Sequence, residues 1–576
     1  MRGTLRRVPA RGLALAAICI VLLIDSAGAT SVLVPDDYPT IQQAIDSGAD
    51  TVVVREGRYE EDLVATGDLT LLAYDSMVGH GSHLDAPVVG GVQASADFVA
   101  TGIRFAGAVT LGPFMAGSPY CRLEGCRFDE PLYVAHQMVA FLYVRGCTFL
   151  ADVFVRPYSC EFVNNAFIGA HLDVAHSGFA NHIGNVFVGP GDFGIRSLGS
   201  NEGLVISGNV ITGKVEGVII ARPTGSQVRD NDVFDCEGTA FRIEAEGIPN
   251  GVGFVTLENN RVRDCGGHGF DMTHIGGTLR GNTIERVAGD GMRASGYPLF
   301  LVERNDIRHT GGRGIAADHV AYGISRNTVV DTGSDGIVAN YIARADSNIV
   351  GRASGKGLWV TSPSDGRLLR NTVYACTGDG IRVESAWPST DSLTANIAYA
   401  NGGAGLSVAG PVTPVLSCND WQANTGGATV GISPGPTDLA VDPLFCNVVE
   451  DDVTLTSASP LLNAPGCGQI GALGQGCEIS ISGPLGARPA AEHFLVFPQP
   501  ALDRVTFAWP AGGGPTRLEV FDVTGARRWQ ADVPAGTAEM SWSLSETDGA
   551  RLPAGVYWAR LTRNGEALHS RIVRIR

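Results

Sequence analysis

The chain has 576 residues and a mass of 60.2 kDa; 44% of it is hydrophobic, 18% charged and 7% aromatic, with 76 Gly and 29 Pro. That balance excludes a disordered chain, and glycine at about twice its usual frequency without a Gly-X-Y period excludes collagen and points to a β-architecture full of tight turns. The formal charge of −17 becomes −20 without residues 1–29, with about −22 on residues 30–493 and +2 on 494–576, which disfavours nucleic acid and anionic membrane as partners.

Residues 1–29 read as a secretory signal: Arg2, Arg6, Arg7 and Arg11 precede an apolar run from Leu13 to Ile24, and Ala27-Gly28-Ala29 offers a cleavage site. The mature chain is then expected to start at Thr30 and to be secreted or held at the outer surface of a bacterial cell. No other segment has the 18 uninterrupted apolar residues of a membrane span.

The middle of the chain repeats. An Asn-x-apolar tripeptide recurs at Asn165, Asn185, Asn209, Asn231, Asn260, Asn282, Asn305, Asn327, Asn348, Asn371 and Asn396, 20 to 29 residues apart. From Asn260 onward a glycine stands nine residues later, at Gly269, Gly291, Gly314, Gly336, Gly357, Gly380 and Gly405, followed by period-two alternation as in Ile381-Arg382-Val383-Glu384. A unit of about 22 residues made of short strands has no room for a helix, and its apolar slots lack the dense Leu of a leucine-rich repeat. It stacks best as coils of a parallel β-solenoid about 4.8 Å apart; thirteen recognisable coils, counting the GCRF and GCTF variants at Cys126 and Cys147, make a rod of roughly 60 Å.

On these repeats the chain resembles the right-handed parallel β-helix proteins of the pectin lyase-like superfamily, over about residues 31–478. The resemblance implies that VPDDYPTIQQAIDSGADTVVVREGRYEEDL forms an N-terminal cap, a short helix with Thr40 as N-cap and Ile41, Ala44 and Ile45 facing the core, which blocks edge-to-edge polymerisation. Asp442 to Cys477 likewise resembles the closing segment of bacterial secreted β-helix proteins. Residues 479–493 are small, Pro- and Gly-containing and read as a linker. From Phe494 to Arg576, strands such as RLEVFDV and GVYWARL, a turn at Thr524-Gly525 and a final SRIVRIR make an all-β sandwich. The pieces FPQPALDRVTF, LEVFDVTGARR and LPAGVYWARL are similar to the C-terminal sorting domains of type IX secretion cargo and to the related immunoglobulin-like domain of flagellar hook-capping proteins, with Gln499 where an Asn-Pro pair is usual, and imply a sandwich of that type. That similarity implies transport across an outer membrane and partners in secretion or surface-attachment machinery.

Eleven of the twelve cysteines remain after processing, so at least one thiol is free. The expected disulfides are Cys467–Cys477, bracketing a Gly-rich turn, and Cys418–Cys446, flanking a loop. Cys236 and Cys265 share one slot in adjacent coils and read as stacked core thiols.

The Asn column reads as an internal amide ladder. Just before the fixed glycines lies a second column, His268, Asp290, Arg313, Asp335, Lys356, Asp379 and Ala404, whose signs alternate; Asp271, Arg293, Asp318, Trp359, Arg382 and Glu384 stand at adjacent outward positions. One reading is a solvated ion-pair ladder, each link contributing about 0.2–1 kcal/mol. The other is a polysaccharide-binding face in which a sugar ring stacks on Trp359 while Arg313, Asp318, Asp335, Lys356, Asp379, Arg382 and Glu384 bond its hydroxyls or uronate groups. Asp335, Lys356 and Asp379 are the candidates for catalysis. Two coils separate the carboxylates, about 9.6 Å, at the upper edge of inverting-hydrolase spacing, and Lys356 between them is an awkward neighbour for a general acid that must keep its proton. His268, His274 and Asp271 match no standard zinc spacing, so no metal or other cofactor is expected, and the residues leave a Ca²⁺ requirement open. The expectation is an exported β-helix that binds extracellular or cell-surface polysaccharide. A polysaccharide lyase, hydrolase or epimerase acting on acidic glycans is the alternative, and a structural spacer the third reading.

Overall fold

A computed structural model describes residues 30–478 apart from 76–85, 113–118, 135–140, 177, 200–201, 246–252, 297–298 and 362–365, and residues 494–574 apart from 498–500, 502–503, 510–515, 524, 535–536, 538, 546–550, 554 and 564–565. The segments expected to be a signal, 1–29, and a linker, 479–493, lie outside the described residues. The chain divides into two units, Met1–Ile479 and Ser480–Arg576.

The first unit is a parallel β-helix. Each coil supplies up to three short strands, as in Met292–Ser295 on face one, Leu299–Glu303 on face two and Asp306–Thr310 on face three. Face three alone stacks sixteen parallel strands, and single bridges at Asp420 and Leu439 extend it to about 18 turns. At about 4.8 Å per turn the rod is roughly 80 Å long, so the thirteen coils and 60 Å read from the sequence fall short. The missed strands are Arg58–Tyr59, Val88–Val89 and Arg104–Phe105. They escape notice because the early coils carry no Asn. Ile103, Cys126 and Cys147 hold its slot there, and a stack of rings inside the rod, Phe105, Phe128, Phe149, Phe167 and Phe187, spaced 4.3–5.1 Å, supplies the repeat instead.

From Asn165 the amide ladder is continuous. Asn305 is typical: its Oδ1 accepts the Asn282 backbone N–H at 3.0 Å and Nδ2 at 2.9 Å, while its own Nδ2 donates to Leu279 O at 3.0 Å and to Asn327 Oδ1 at 2.9 Å. The ladder runs one coil beyond the expected column, through Asn419, and ends on Asp438, whose Oδ1 accepts both Asn419 donors. Its geometry rests on a left-handed residue immediately before each Asn and another four residues after it. Asn259 and Asp264 bracket Asn260 in this way, as do Arg304 and His309 around Asn305, all with φ of 54–57°. The fixed glycines answer a different need. A Cβ on Gly314 would stand 2.2 Å from Val329 Cγ1 and 2.7 Å from Gly336 O, because the next coil packs directly against its Cα.

Both ends are closed. At the N-terminus the helix Ile41–Asp46 has Thr40 as N-cap, accepting from Gln43 N at 3.2 Å, and buries Ile41 and Ala44, with Ile45 partly buried against the same core. Glu61 caps it again, its two oxygens accepting the Ile41 and Gln42 N–H at 2.7 and 3.0 Å. At the other end, residues after Leu439 fold back over face three. Leu455, Leu461 and Ile470 pack on Ile397, and Asp451 accepts from Tyr374 Oη at 2.7 Å and pairs with Arg308 and Arg352.

This return path corrects the disulfide pairing. The bonds are Cys418–Cys467 and Cys446–Cys477, with Cα atoms 5.6 and 6.0 Å apart. Cys446 lies in Phe445–Asn447, and Gln475–Cys477 pairs with the same central strand, Asp452–Thr456, that Phe445–Asn447 does; the turn at Ala464–Gly468 meanwhile swings Cys467 back toward Thr437, beside Cys418. Proximity in sequence was the wrong guide. The seven other described cysteines are buried thiols.

The second unit pairs a three-stranded antiparallel sheet (Leu495–Phe497, Val505–Ala508, Glu539–Trp542) with a four-stranded one (Arg527–Val533, Thr516–Asp522, Gly555–Arg563, Glu566–Arg574). Phe507, Trp509, Leu518, Val520, Trp542 and Leu561 fill the core between them.

Candidate functional site

The charged column beside the glycines is built differently from a simple ion-pair ladder. Backbone N–H groups at these positions point along the rod axis, and the side chain one coil earlier receives them where it has an acceptor. His268 Nδ1 accepts from Asp290 N at 2.9 Å, Asp290 Oδ1 from Arg313 N at 2.7 Å, Asp335 Oδ1 from Lys356 N at 2.7 Å and Asp379 Oδ1 from Ala404 N at 2.9 Å. The carboxylates thus stand in for a missing main-chain partner, a sufficient reason for their presence. Ion pairs are superimposed: Arg313 Nη2 lies 2.9 Å from Asp290, Lys356 Nζ 3.8 Å from Asp335 and Arg382 Nη1 3.6 Å from Asp379.

The outward residues of face one form a single column in unbroken register: Tyr133, Phe154, Asp173, Arg196, Ile219, Arg242, Asp271, Arg293, Ala316, Val338, Trp359, Arg382 and Ser407. Trp359 and Arg382 are therefore neighbours, as the sequence suggested. Trp359 is half-buried, with Lys356 Nζ 3.9 Å from its ring centroid, and its Nε1 is covered without a hydrogen-bond partner among the described residues. The ring face that a sugar would need is shared with that ammonium. Arg382 Nε binds Glu384 at 2.9 Å, and Asp318 accepts from Asn340 Nδ2 at 2.7 Å one column over. The structure brings all eight sequence-nominated binding residues onto face one and its adjoining turn, but it leaves Asp335 and Asp379 on either side of Lys356, each already holding a backbone N–H.

A denser cluster lies about eight coils earlier, at residues that no sequence pattern singles out. His171 Nδ1 is 3.1 Å from Asp152 Oδ1, and its ring meets Phe154 edge-on at 5.4 Å and Phe193 at 4.2 Å. Its Nε2 has no hydrogen-bond partner among the described residues, and burial lowers its pKa against the opposing pull of Asp152 and Asp173. Beside it, buried Asp173 pairs with Arg196, whose guanidinium lies 4.3 Å from the Phe193 centroid. Beneath it, Lys214 is fully buried, its Nζ donating to Ala170 O at 2.8 Å and Pro190 O at 3.4 Å, and burial pushes its pKa down to about 8. These residues sit in four successive coils, five to eleven residues after the Asn slot, so a search keyed to the Asn column does not align them, although Asp173 and Arg196 are register partners. The one hint was that Lys214 and Lys356 are the chain's only lysines.

The family described as right handed beta helix region matches residues 153–276 and 272–420. No curated protein matches the sequence. Among solved structures, the chain is similar to the catalytic unit of the GH87 α-1,3-glucanase of Streptomyces thermodiastaticus, at 14% identity over 72% of this chain and 70% of that one, TM-score 0.30. It is also similar to the A-module of the mannuronan C-5 epimerase AlgE6 of Azotobacter vinelandii, at 13% identity over 70% and 93%, TM-score 0.21. A shorter likeness, 27% identity with TM-score 0.13, joins 15% of this chain to PorZ, a surface component of the type-IX secretion system of Porphyromonas gingivalis, and spans only 12% of that protein.

Proposed function

We propose that this right-handed parallel β-helix is exported and binds polysaccharide along face one, with its C-terminal unit serving surface sorting or attachment. The observation that carries the reading is the unbroken outward column, which sets Phe154, Asp173, Arg196, Trp359, Arg382 and, beside them, Glu384 in lines parallel to the rod axis. A linear polymer laid along the axis meets aromatic and charged groups at successive coil steps of about 4.8 Å. The test is a glycan-array screen of the full chain with Arg196→Ala and Trp359→Ala beside it. Saturable binding weakened by either substitution supports the face, whereas binding indifferent to both places it elsewhere.

A second reading, a lyase or epimerase acting on acidic glycans, is favoured by the Asp152–His171 pair. A partly buried imidazole whose pKa burial lowers, with the Asp152 carboxylate at its Nδ1 and Arg196 and Lys214 beside it, is suited to abstracting a proton next to a carboxylate. Unsaturated or epimerised products that vanish in His171→Ala would establish that activity. Binding without products in the wild-type chain would leave a glycan-binding protein, and no binding at all a spacer.

A further inference from the structure

The slot five residues after each ladder Asn lies in the turn between faces three and one. In the eleven coils from Asn165 to Asn396 it holds Ala, Pro, Cys, Val, Thr or Asn in ten and a charged residue in one, Lys214. The two coils before Lys214 carry Ala170 and Pro190 in that slot, and the lysine reaches back to both: its Nζ donates to Ala170 O at 2.8 Å and to Pro190 O at 3.4 Å. A Cβ on Gly191 would stand 3.1 Å from Nζ and 3.6 Å from Cδ, so the bare glycine leaves room for the ammonium. A fully buried ammonium held by neutral carbonyls is costly to fold, and a stem with an apolar end would fill the slot without that cost. Packing alone does not account for a lysine here.

Both carbonyls belong to turns that build the Asp152–His171 site. Ala170 immediately precedes His171, and Pro190 stands three residues before Phe193, whose ring lies 4.2 Å from the imidazole. Asp152 Oδ1 holds His171 at backbone and ring, accepting its N–H at 3.1 Å and lying 3.1 Å from Nδ1. Burial is the largest influence on the imidazole and disfavours its cation; Asp152 and Asp173 favour the cation, and Arg196 and Lys214 oppose it. With a pKa of about 8, Lys214 keeps its charge through the range in which an imidazole ordinarily titrates.

Resting on the second reading above, in which His171 takes the proton, we infer that Lys214 is a positioning residue for that imidazole: it ties the turn that carries His171 to the turn that carries Phe193 and keeps a positive charge beneath the ring. Being fully buried, the ammonium does not meet the ligand and acts through His171. The division of labour is chemical. A carboxylate alone would orient the ring and at the same time promote its protonation, which leaves no base; a buried cation on the same turn opposes that protonation while the orientation stays.

The experiment uses the full chain with isotope-labelled histidine, its His171 signals assigned by their loss in His171→Gln. The wild type is compared with Lys214→Met, which removes charge and donor but keeps the length of the stem, and with Lys214→Gln, which removes the charge and keeps a donor. Thermal melts check that both fold, and Lys214→Gln alone decides if Lys214→Met does not. The titration midpoint of His171 is expected to rise in both variants, with its ring signals broadened in Lys214→Met. On a glycan that the wild type converts, the acidic limb of the kcat/KM profile should move to higher pH together with the midpoint, whereas a merely structural lysine would lower the rate at every pH and leave the limb in place. An unmoved midpoint in a folded variant overturns the role of Lys214 and leaves the His171 reaction standing. A wild-type chain that binds glycan and forms no unsaturated or epimerised product overturns the reaction, and with it the role of Lys214, whatever the midpoint does.

Discussion

Replacing Asn305 by Ala tests the framework on which every surface feature depends. The side chain is 1% exposed and makes four hydrogen bonds, two accepted from Asn282 and two donated, to Leu279 O and Asn327 Oδ1. Asn327 Oδ1 keeps the Asn305 backbone N–H at 3.0 Å and Asn282 Nδ2 keeps Leu257 O at 2.9 Å, so neither is stranded. The Asn282 backbone N–H loses its acceptor in a site that water does not reach, a cost of about 1–3 kcal/mol, and the three remaining bonds add about 1 kcal/mol each, for a total of about 4–6 kcal/mol. The right comparison is Asn424→Ala in a second, short ladder, in which Asn401 Oδ1 accepts from Cys376 N and the half-buried Asn424 side chain accepts from Asn401 and donates to Ala398 O; its loss should cost about 1–2 kcal/mol. Because coils contact only their neighbours, the damage should be local, and hydrogen exchange resolved by peptide is the assay. Amides from 282 to 327 should exchange faster by about three to four orders of magnitude while the early coils up to Phe187 stay protected. Equal effects of the two substitutions would refute the idea that the ladder is a buried, fully satisfied network.

Other outcomes follow from particular contacts. Asp420 is buried with Oδ1 on Val441 N–H at 2.9 Å and no hydrogen bond to Oδ2 among the described residues, and burial raises its pKa to about 7. The folded chain therefore holds a proton that the unfolded chain releases near pH 4, so stability should fall as pH rises from about 4 to 7, by at most roughly 4 kcal/mol, and Asp420→Asn should flatten that profile in denaturant titrations. Gly314→Ala should cost about 1–3 kcal/mol by overpacking, and Val329→Ala in the same chain should recover part of it in thermal melts. Reducing Cys418–Cys467 and Cys446–Cys477, which close loops of 49 and 31 residues, should remove about 2–4 kcal/mol per bond from the closing segment; limited proteolysis should then cut within 440–477 before it cuts the coils.

Much of the rod was legible because its chemistry recurs in phase. Asn at one slot and Gly nine residues on are both demanded by the same coil contact, repeated at every step, and so survive as a column in the sequence. What does not recur in phase could not be read. The early coils substitute stacked phenylalanines for amides. The cluster of Asp152, His171, Arg196 and Lys214 draws on four coils at unequal distances from the Asn slot, five residues after Cys147, six after Asn165, eleven after Asn185 and five after Asn209. The alternating charges of His268 to Asp379 were visible as a column, yet their main partners are backbone N–H groups of the following coil, which carry no mark in the sequence. The disulfides paired differently from expectation because the closing segment doubles back over face three.

The amide ladder also has a direction. Each Asn Oδ1 accepts two N–H groups from the Asn of the coil before it, and each Asn passes its own backbone N–H and one Nδ2–H to the Asn of the coil after it, the second Nδ2–H going back to a carbonyl of the preceding coil; the series stops at Asp438, whose carboxylate accepts from Asn419, Trp421 Nε1 and Gly435 N–H without needing a further acceptor. Any coil of this kind hands its successor the same two donors that it received. A coil could be duplicated or deleted between Asn165 and Asn419 without altering the chemistry of either end, so the length of the rod, and with it the span of surface offered along it, is free to vary while its two closures stay the same.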